Sequence, residues 1–145
     1  MKKKLISLAL LFIFSAQSII TPLADDHVIS DSDIEFLARA VEKTAPEASY
    51  VARLAFCAMI VNRRDDPRFP SDLRAVVYQR GEFDCAWAPD LETCSPSRLS
   101  RLAARDALLG FDPSGGALYY KKGHRSESYP DAFFHSGYWF FTSRP

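Results

Sequence analysis

The chain has 145 residues, of which 18 are basic and 18 acidic, so its formal net charge is zero. A chain without excess positive charge has no general electrostatic attraction for nucleic acids or anionic membrane surfaces, and we expect neither as a partner. After an N-terminal segment of about two dozen residues, the remaining length suits one small domain with a modest core.

The N-terminal segment has the layout of a secretory signal peptide. Lys2–Lys4 form a basic start, Leu5–Phe14 form an apolar run, and small residues follow at positions 15–18. A helix that spans a membrane needs about 20 apolar residues, and Gln17 and Pro22 interrupt this run. The pattern therefore favours export with cleavage over a stable membrane span.

These features predict a chain in three parts. Residues 1–24 are the signal peptide, with the cleavage site between 18 and 24, and residues 25–31 are a polar linker. The domain covers residues 32–145. Export would make the mature protein a secreted or cell-envelope protein.

Two helices are predicted in the first half of the domain. Ser32 and Glu35 are spaced as a capping box, which predicts a first helix over 33–44. Ser49 is placed to cap a second helix, and Asn62 is expected to cap its C-terminal end. Apolar residues lie on nearly all faces of this second helix, which is typical of a helix at the centre of a domain.

The next segment predicts two more helices with a loop between them. Ser71 is placed to cap a short third helix, and residues 81–94 form a loop with one short strand at Glu82–Phe83. Ser95-Pro96 has the order of a cap residue followed by a first-turn proline, so a fourth helix is expected to begin there. The predicted buried face of this helix consists of Leu99, Leu102, Ala103 and Leu109.

Two strands are predicted late in the chain, over 117–120 and 132–141, with the polar segment 121–130 between them. Helices therefore come first and a small sheet comes last. This order predicts an α+β domain in which helices surround one buried central helix.

The three cysteines lie in different settings. Cys57 falls in the apolar second helix and is expected to be a buried thiol. Cys85 and Cys94 lie nine positions apart in the predicted loop, and export would permit a disulfide between them, so both the bridge and two free thiols stay open. No spacing of cysteine and histidine resembles a zinc site, and we expect neither a metal nor a cofactor.

Three blocks of sequence, in order, cover most of residues 35–120. The first joins an Ala-Arg pair at Ala38-Arg39, without a gap, to an apolar helix that ends in Asn62-Arg63. The second runs from Phe69-Pro70 through Tyr78-Gln79 to Phe83, and the third ends in Gly116-Ala-Leu-Tyr-Tyr120. In this order and spacing the blocks resemble the SleB/CwlJ-type cell-wall hydrolases.

The resemblance implies a lysozyme-like fold and cleavage of the glycan strands of peptidoglycan, often in the cortex of bacterial spores. Such enzymes are similar to lytic transglycosylases, in which one glutamate protonates the leaving glycosidic oxygen. The same glutamate then acts as a base while the muramyl 6-hydroxyl closes an anhydro ring. This chemistry needs a carboxyl group with a raised pKa at the edge of a groove. The resemblance adds spore association and another cell-wall or spore protein as a candidate partner.

This chain departs from the family at the catalytic position. The family's glutamate aligns with Thr44, whose hydroxyl does not ionise near neutral pH, and a family histidine aligns with Trp139. Glu42, on the same predicted helix, and Glu47, in the following turn, are the candidate replacements, although a surface glutamate usually has no catalytic role. If neither replaces it, the alternative is a catalytically inactive relative that binds peptidoglycan or a partner hydrolase.

Four further residues are candidates for binding the sugar. Tyr78 and Gln79 match the family's Tyr-Gln pair and are suited to stacking and hydrogen bonding. Tyr119 and Tyr120 alternate across a predicted strand, so at most one of them is expected to line the groove.

Overall fold

A computed structural model describes residues 29–125, 129 and 132–145, and the predicted signal peptide lies outside them. The described residues form four α-helices, one short 3-10 helix and a three-stranded sheet. The predicted order of helices first and sheet last is confirmed. The helices are α1 (Asp31–Thr44), α2 (Tyr50–Asp65), α3 (Leu73–Val77) and α4 (Arg98–Leu108), and the strands are β1 (Tyr119–Lys122), β2 (Phe133–His135) and β3 (Tyr138–Phe141).

Helix α1 begins at Asp31, two residues before the predicted start at residue 33. The Ser30 side chain accepts a hydrogen bond from the Asp33 backbone N–H at 3.1 Å, so Ser30 and not Ser32 is the N-cap. Glu35 does not reach back to the cap, because its carboxylate accepts from Arg101 at 2.8 Å. The capping box was therefore wrong, and the glutamate instead ties α1 to α4.

Helix α2 is the buried centre of the domain, as predicted. Ser49 is its N-cap, and both Cys57 and Met59 are fully buried. Phe56 connects the helix to the sheet, since its ring lies 4.9 Å from the ring centroids of both Tyr138 and Phe140. Burial of an aromatic ring between two layers contributes strongly to a small core.

Helix α4 buries Ala103 as predicted, but the three predicted leucines do not lie on its buried side. Its N-cap is Ser97 and not Ser95. Leu99 is 38% exposed and Leu109 is 57% exposed, and Leu102 is only partly buried, so the leucines do not form its inner face. The buried residues are small, which lets α4 pack closely against α2. They are Ser100, Ala103, Ala104 and Ala107.

The segment between α2 and α4 also differs from the prediction. Asp72, and not Ser71, caps α3, because its Oδ1 accepts from the Ala75 backbone N–H at 2.9 Å. In place of a short strand at Glu82–Phe83, a 3-10 helix spans Asp84–Trp87. Cys57, Cys85 and Cys94 are all free thiols in this structure.

The predicted strand over 132–141 is a hairpin of two strands. Ser136 and Gly137 have φ values of 50° and 79°. Positive φ at both central residues defines the tight turn that matches the twist of a two-stranded hairpin. Both β1 and β2 pair antiparallel with β3, so the strand order is β1-β3-β2 and β1 lies at an edge. No described helix is long and apolar enough to cross a membrane.

Candidate functional site

The C-terminal end of α1 is where the resemblance places the catalytic residue, and Thr44 is the last residue of that helix. Its hydroxyl donates to the Ala40 carbonyl oxygen at 2.8 Å, one turn earlier, and lies beside the Cys85 thiol. Burial raises the pKa of this thiol, and the Thr44 hydroxyl partly offsets the rise. Both side chains are neutral at neutral pH, and neither is an acid suited to protonating a glycosidic oxygen.

Glu42 is held by three other residues. Its Oε2 atom accepts from Arg53 Nη1 at 2.8 Å, from Ser100 Oγ at 2.6 Å, and from N and Oγ of Ser97 at 3.0 and 2.7 Å. Partial burial raises the pKa of the carboxyl, but hydrogen bonds from Ser100 and Ser97 and the Arg53 charge outweigh burial and lower the pKa to about 2. Glu42 is therefore ionised at neutral pH. This geometry favours a structural link between α1, α2 and α4 over a proton donor.

Glu47 lies exposed in the turn between α1 and α2. Nearby in this turn, the Ser49 hydroxyl lies 3.1 Å from His135 Nδ1 and accepts from Ser136 Oγ at 2.9 Å, which fastens the turn to the β2–β3 hairpin. The structure therefore places Glu47 in a fixed turn. Its catalytic role stays a prediction, as does that of Glu42.

A cleft of about 490 Å³ runs along the edge strand β1, and we call it the β1 cleft. Its walls are formed by one end of α2, the segment from Gly81 to Asp84, the strand itself and the segment Arg144–Pro145. Asp84 lines the cleft, and its neighbour Cys85 lies beside Thr44. Cys85 itself is buried, and none of the described residues of α1 lines the cleft.

Tyr119 and Tyr120 both line the β1 cleft, which differs from the expectation that only one would do so. Because β1 is an edge strand, the cleft can follow the strand past both of its faces. Tyr120 packs edge-on against Phe56 at 4.8 Å and stacks on Phe83 at 5.9 Å between ring centroids. Burial, with a smaller contribution from the nearby Asp84 charge, raises the pKa of Tyr120 to about 12, so it remains a neutral phenol.

Two carboxylates line the β1 cleft, and they differ in their partners. Glu82 accepts from Arg63 Nη2 at 2.8 Å and from Arg144 Nη2 at 3.2 Å. Asp84 is exposed, and within the described part of the chain it has no ion-pair partner. Sequence reasoning missed both residues, since an acidic residue in a loop gives no signal until the surrounding walls are known.

The turn before β1 is built around one carboxylate. Asp112 Oδ2 accepts from Asn62 Nδ2 at 2.9 Å and from the Gly116 backbone N–H at 2.7 Å, while its Oδ1 accepts from Ser114 Oγ at 2.6 Å. Asn62 also donates to the Ala117 carbonyl at 3.1 Å. Asn62 therefore does not cap α2 as predicted. It connects α2 to the start of β1 and so positions the two tyrosines.

Tyr78 and Gln79 do not line the β1 cleft. The Tyr78 hydroxyl donates to Glu92 Oε1 at 2.7 Å, and its ring lies 6.1 Å from that of Phe36. The side-chain amide oxygen of Gln79, Oε1, is buried and has no hydrogen-bond partner among the described residues. Their sugar-binding role stays a prediction that this geometry does not favour.

Trp139 takes the place of the family histidine, and it is buried. Its indole Nε1 donates to the His124 carbonyl oxygen at 2.9 Å. Among the described residues, no three His, Cys, Asp or Glu side chains are grouped so that they would hold a metal ion. The side chains that line the β1 cleft carry carboxylate, phenol and basic groups.

Comparison with known proteins identifies a family and several relatives for this chain. The family model described as Cell Wall Hydrolase matches residues 47–139. Over 91 residues, or 63% of this chain, the sequence is 41% identical to a spore cortex-lytic enzyme of Halalkalibacterium halodurans and 37% identical to one of Bacillus subtilis. The match covers 27% and 30% of these two proteins, so the chain spans less than a third of their length.

Two solved structures share the fold. The catalytic domain of the Bacillus cereus SleB protein superposes with a TM-score of 0.67 at 27% identity, covering 79% of this chain and 93% of that one. The catalytic domain of the germination-specific lytic transglycosylase SleB from Bacillus anthracis gives 0.67 at 25% identity, covering 81% and 99%. The lysozyme-like α+β fold implied by the resemblance is confirmed.

Proposed function

This chain belongs to the cell wall hydrolase family, and from that premise we propose that it is an exported peptidoglycan-cleaving protein. It binds the glycan strands in the β1 cleft and cleaves them as a lytic transglycosylase does. Spore-cortex peptidoglycan is the form that the names of its relatives indicate. The proposal places the mature protein outside the cell, at the envelope or the spore.

The observation that carries this proposal is the β1 cleft itself, which is linked to the end of α1 through the adjacent residues Asp84 and Cys85. Cys85 lies beside Thr44, and the preceding residue, Asp84, lines the cleft. The cleft volume of about 490 Å³ is in the usual range for small-ligand sites. Tyr119 and Tyr120 provide amphipathic rings with an apolar body and a polar tip. A sugar bound along β1 would therefore contact these tyrosines and lie beside Asp84.

Cleavage requires one carboxyl group in two roles. As the bond from C1 to the glycosidic oxygen breaks, the carboxyl gives its proton to that oxygen. The resulting carboxylate then takes the proton of the muramyl 6-hydroxyl, while the oxygen of that hydroxyl bonds to C1. Glu42 and Glu47 are the candidates from the sequence, and Asp84 joins them because it lines the cleft. Glu42 is the least suited of the three, because it is held as a carboxylate.

A second candidate function is binding without cleavage, in which the chain holds peptidoglycan or a partner hydrolase. The observation that favours it is the neutral pair of Thr44 and Cys85 at the family's catalytic position. The same cleft walls would serve either function, since binding a strand and cleaving it need the same contacts to sugar.

Digestion of purified spore-cortex and vegetative peptidoglycan distinguishes the two functions. Release of fragments with anhydro ends, separated by chromatography and identified by mass, supports cleavage. Protein that sediments with the glycan but releases nothing supports binding alone. Protein that neither sediments nor releases fragments contradicts both.

If the wild type cleaves, three matched variants locate the acid: Glu42→Gln, Glu47→Gln and Asp84→Asn. Loss of general acid–base assistance lowers the rate by about 10²–10⁴-fold, so the responsible variant should be nearly inactive although it still folds. Full activity in all three would contradict this placement of the site.

Export is proposed from the pattern of residues 1–24. The mature protein isolated from its source should begin between residues 19 and 25, as measured by N-terminal sequencing. A soluble cytoplasmic protein that retains Met1 would contradict export.

A further inference from the structure

Trp87 is the most exposed of the large apolar side chains that the structure describes. Its exposed fraction is 70%, whereas that of the other tryptophan in the chain, Trp139, is 4%. Tryptophans are highly buried on average, because the indole ring contributes a large apolar area. An indole that stands in water adds little to the core and is available to a ligand.

The 3-10 helix Asp84–Trp87 places this ring on the same side as an acid of the β1 cleft. Residues three apart in a 3-10 helix eclipse each other, and with a rise of about 2.0 Å per residue they lie about 6 Å apart along the axis. The burial pattern agrees, since Asp84 and Trp87 are exposed and Cys85 between them is buried. Asp84 lines the β1 cleft and Trp87 does not. The indole therefore lies outside the cleft, one helical turn from its wall.

The segment that carries Trp87 is fastened to α1 at two places. Lys43 Nζ donates to Asp90 Oδ2 at 2.6 Å, and Arg39 Nη1 donates to the Glu92 carbonyl oxygen at 2.6 Å. The exposed ring is thus carried by a backbone that is held in position. A group that is already in position loses less conformational freedom when a ligand packs on it.

From this placement we propose that Trp87 forms an additional sugar position, outside the β1 cleft, on which one ring of a glycan strand packs its apolar face. The inference rests on the proposed function for the glycan nature of the ligand. The C–H face of a sugar ring is apolar and matches the flat indole, while the hydroxyls at its edge stay in water. Only a strand long enough to fill the cleft and continue past Asp84 would reach this ring. The added position therefore makes the site prefer longer strands.

Peptide-free glycan fragments of peptidoglycan, one of two sugars and one of six, test this inference. Their binding to the intact folded protein is measured by calorimetry in the cold, where chromatography confirms that the fragments stay intact. Trp87→Ala should weaken binding of the long fragment about tenfold, which corresponds to about 1.4 kcal/mol. It should leave the short fragment unchanged, because that fragment fits within the cleft. Trp87→Phe keeps an aromatic face and should retain most of the affinity.

Phe111→Ala is the matched control. Phe111 is also an exposed aromatic residue, at 61%, but it follows α4 and does not line the cleft. This variant should change neither affinity. Because both aromatic side chains stand in water, each variant should melt close to the wild-type temperature, which confirms that the compared proteins are folded.

Tryptophan fluorescence gives a second readout that does not depend on activity. Trp87 and Trp139 are the two tryptophans of the chain, and Trp139 is buried with its Nε1 bonded to the His124 carbonyl oxygen. Acrylamide in solution should therefore quench mainly Trp87. The long fragment should protect this tryptophan from the quencher, and the short fragment should not. In Trp87→Phe the protection should disappear.

The outcomes separate the inference from the proposed function. Equal affinity of wild type and Trp87→Ala for the long fragment would overturn the inference and leave the proposed function standing, because the glycan would still bind. Equal weakening of both fragments would also overturn it, since Trp87 would then not be a separate position. The same holds if Phe111→Ala weakens the long fragment as much. Failure of both fragments to bind wild type would contradict the inference and the proposed function together.

Discussion

Arg53 donates to Glu42 across 2.8 Å, and this pair joins α1 to α2 at the point where α4 begins. Arg53 is only 5% exposed, so its charge depends on that carboxylate. Glu42→Gln should lower the free energy of unfolding by about 1–3 kcal/mol, the range for hydrogen bonds to charged groups. Urea denaturation measures the effect. The control is Glu47→Gln, since Glu47 is exposed and its variant should lie within about 0.5 kcal/mol of wild type.

The pH dependence of stability reports on the same carboxylate. The pKa of Glu42 is about 2 in the folded protein and about 4.3 in an unfolded chain. A lowered pKa stabilises the folded state above the unfolded value, and this contribution is lost as pH falls through the folded value. The stability difference between wild type and Glu42→Gln should therefore shrink between about pH 4.3 and pH 2. A difference that stays constant over this window would contradict the assigned contacts.

Thr44→Glu should create or increase cleavage of peptidoglycan. The new carboxyl would lie beside the buried Cys85 thiol, where partial burial favours the protonated form that an acid catalyst needs. We expect a gain of about tenfold or more over wild type, because general acid–base assistance typically contributes about 10²–10⁴-fold and an introduced acid recovers part of it. Thr44→Gln has nearly the same shape without the acid and should show no gain. Equal activity of the two variants would show that the helix end does not face bound substrate.

Helix α4 allows a paired test of its inner and outer sides. Ala104 is fully buried, so Ala104→Leu should overpack the contact with α2 and cost about 1–3 kcal/mol. Leu99 is 38% exposed, so Leu99→Ala should change stability by less than about 0.5 kcal/mol. Thermal unfolding measures both. The reverse order of effects would mean that the leucines face the core after all.

Met59 tests the central position of α2. The side chain is fully buried, and Met59→Asp would bury a charge without a partner, which costs several kcal/mol. Because small domains are stable by only about 5–15 kcal/mol, the variant should fail to fold cooperatively. A cooperative transition within a few degrees of wild type would contradict the assignment of α2 as the core helix.

An element could be predicted from the sequence where only one structure suited its residues, and was mispredicted where several residues could play the same part. Helix α2 was predicted with its cap, because a long apolar segment preceded by Ser49 has few other readings. At α1, Ser30, Ser32 and their acidic neighbours are all good cap residues, and spacing alone selected the wrong one. The hairpin was missed because Ser136 interrupts an aromatic run without the Asn or Asp that usually precedes Gly in such a turn.

The site was predictable only in part. Short patterns in the sequence led to Thr44 and to the tyrosines of β1, and the structure brings these tyrosines into one cleft. The partners of Glu42 come from 11 to 58 positions away along the chain. Neither its ionised state nor its link to α4 could therefore be predicted from the residues next to it in the sequence. The basic residues of the cleft meet only after the chain folds, for the same reason.

The exposed apolar residues that follow α4 have a consequence for handling the protein. Leu109 is 57% exposed, and Phe111, just beyond the helix, is 61% exposed. Apolar side chains in water add little to folding stability but promote self-association as concentration rises. Exchanging them for polar residues should raise the solubility limit and leave the melting temperature nearly unchanged. Solubility is therefore governed by the segment that follows α4, and stability by the buried side of α4 itself.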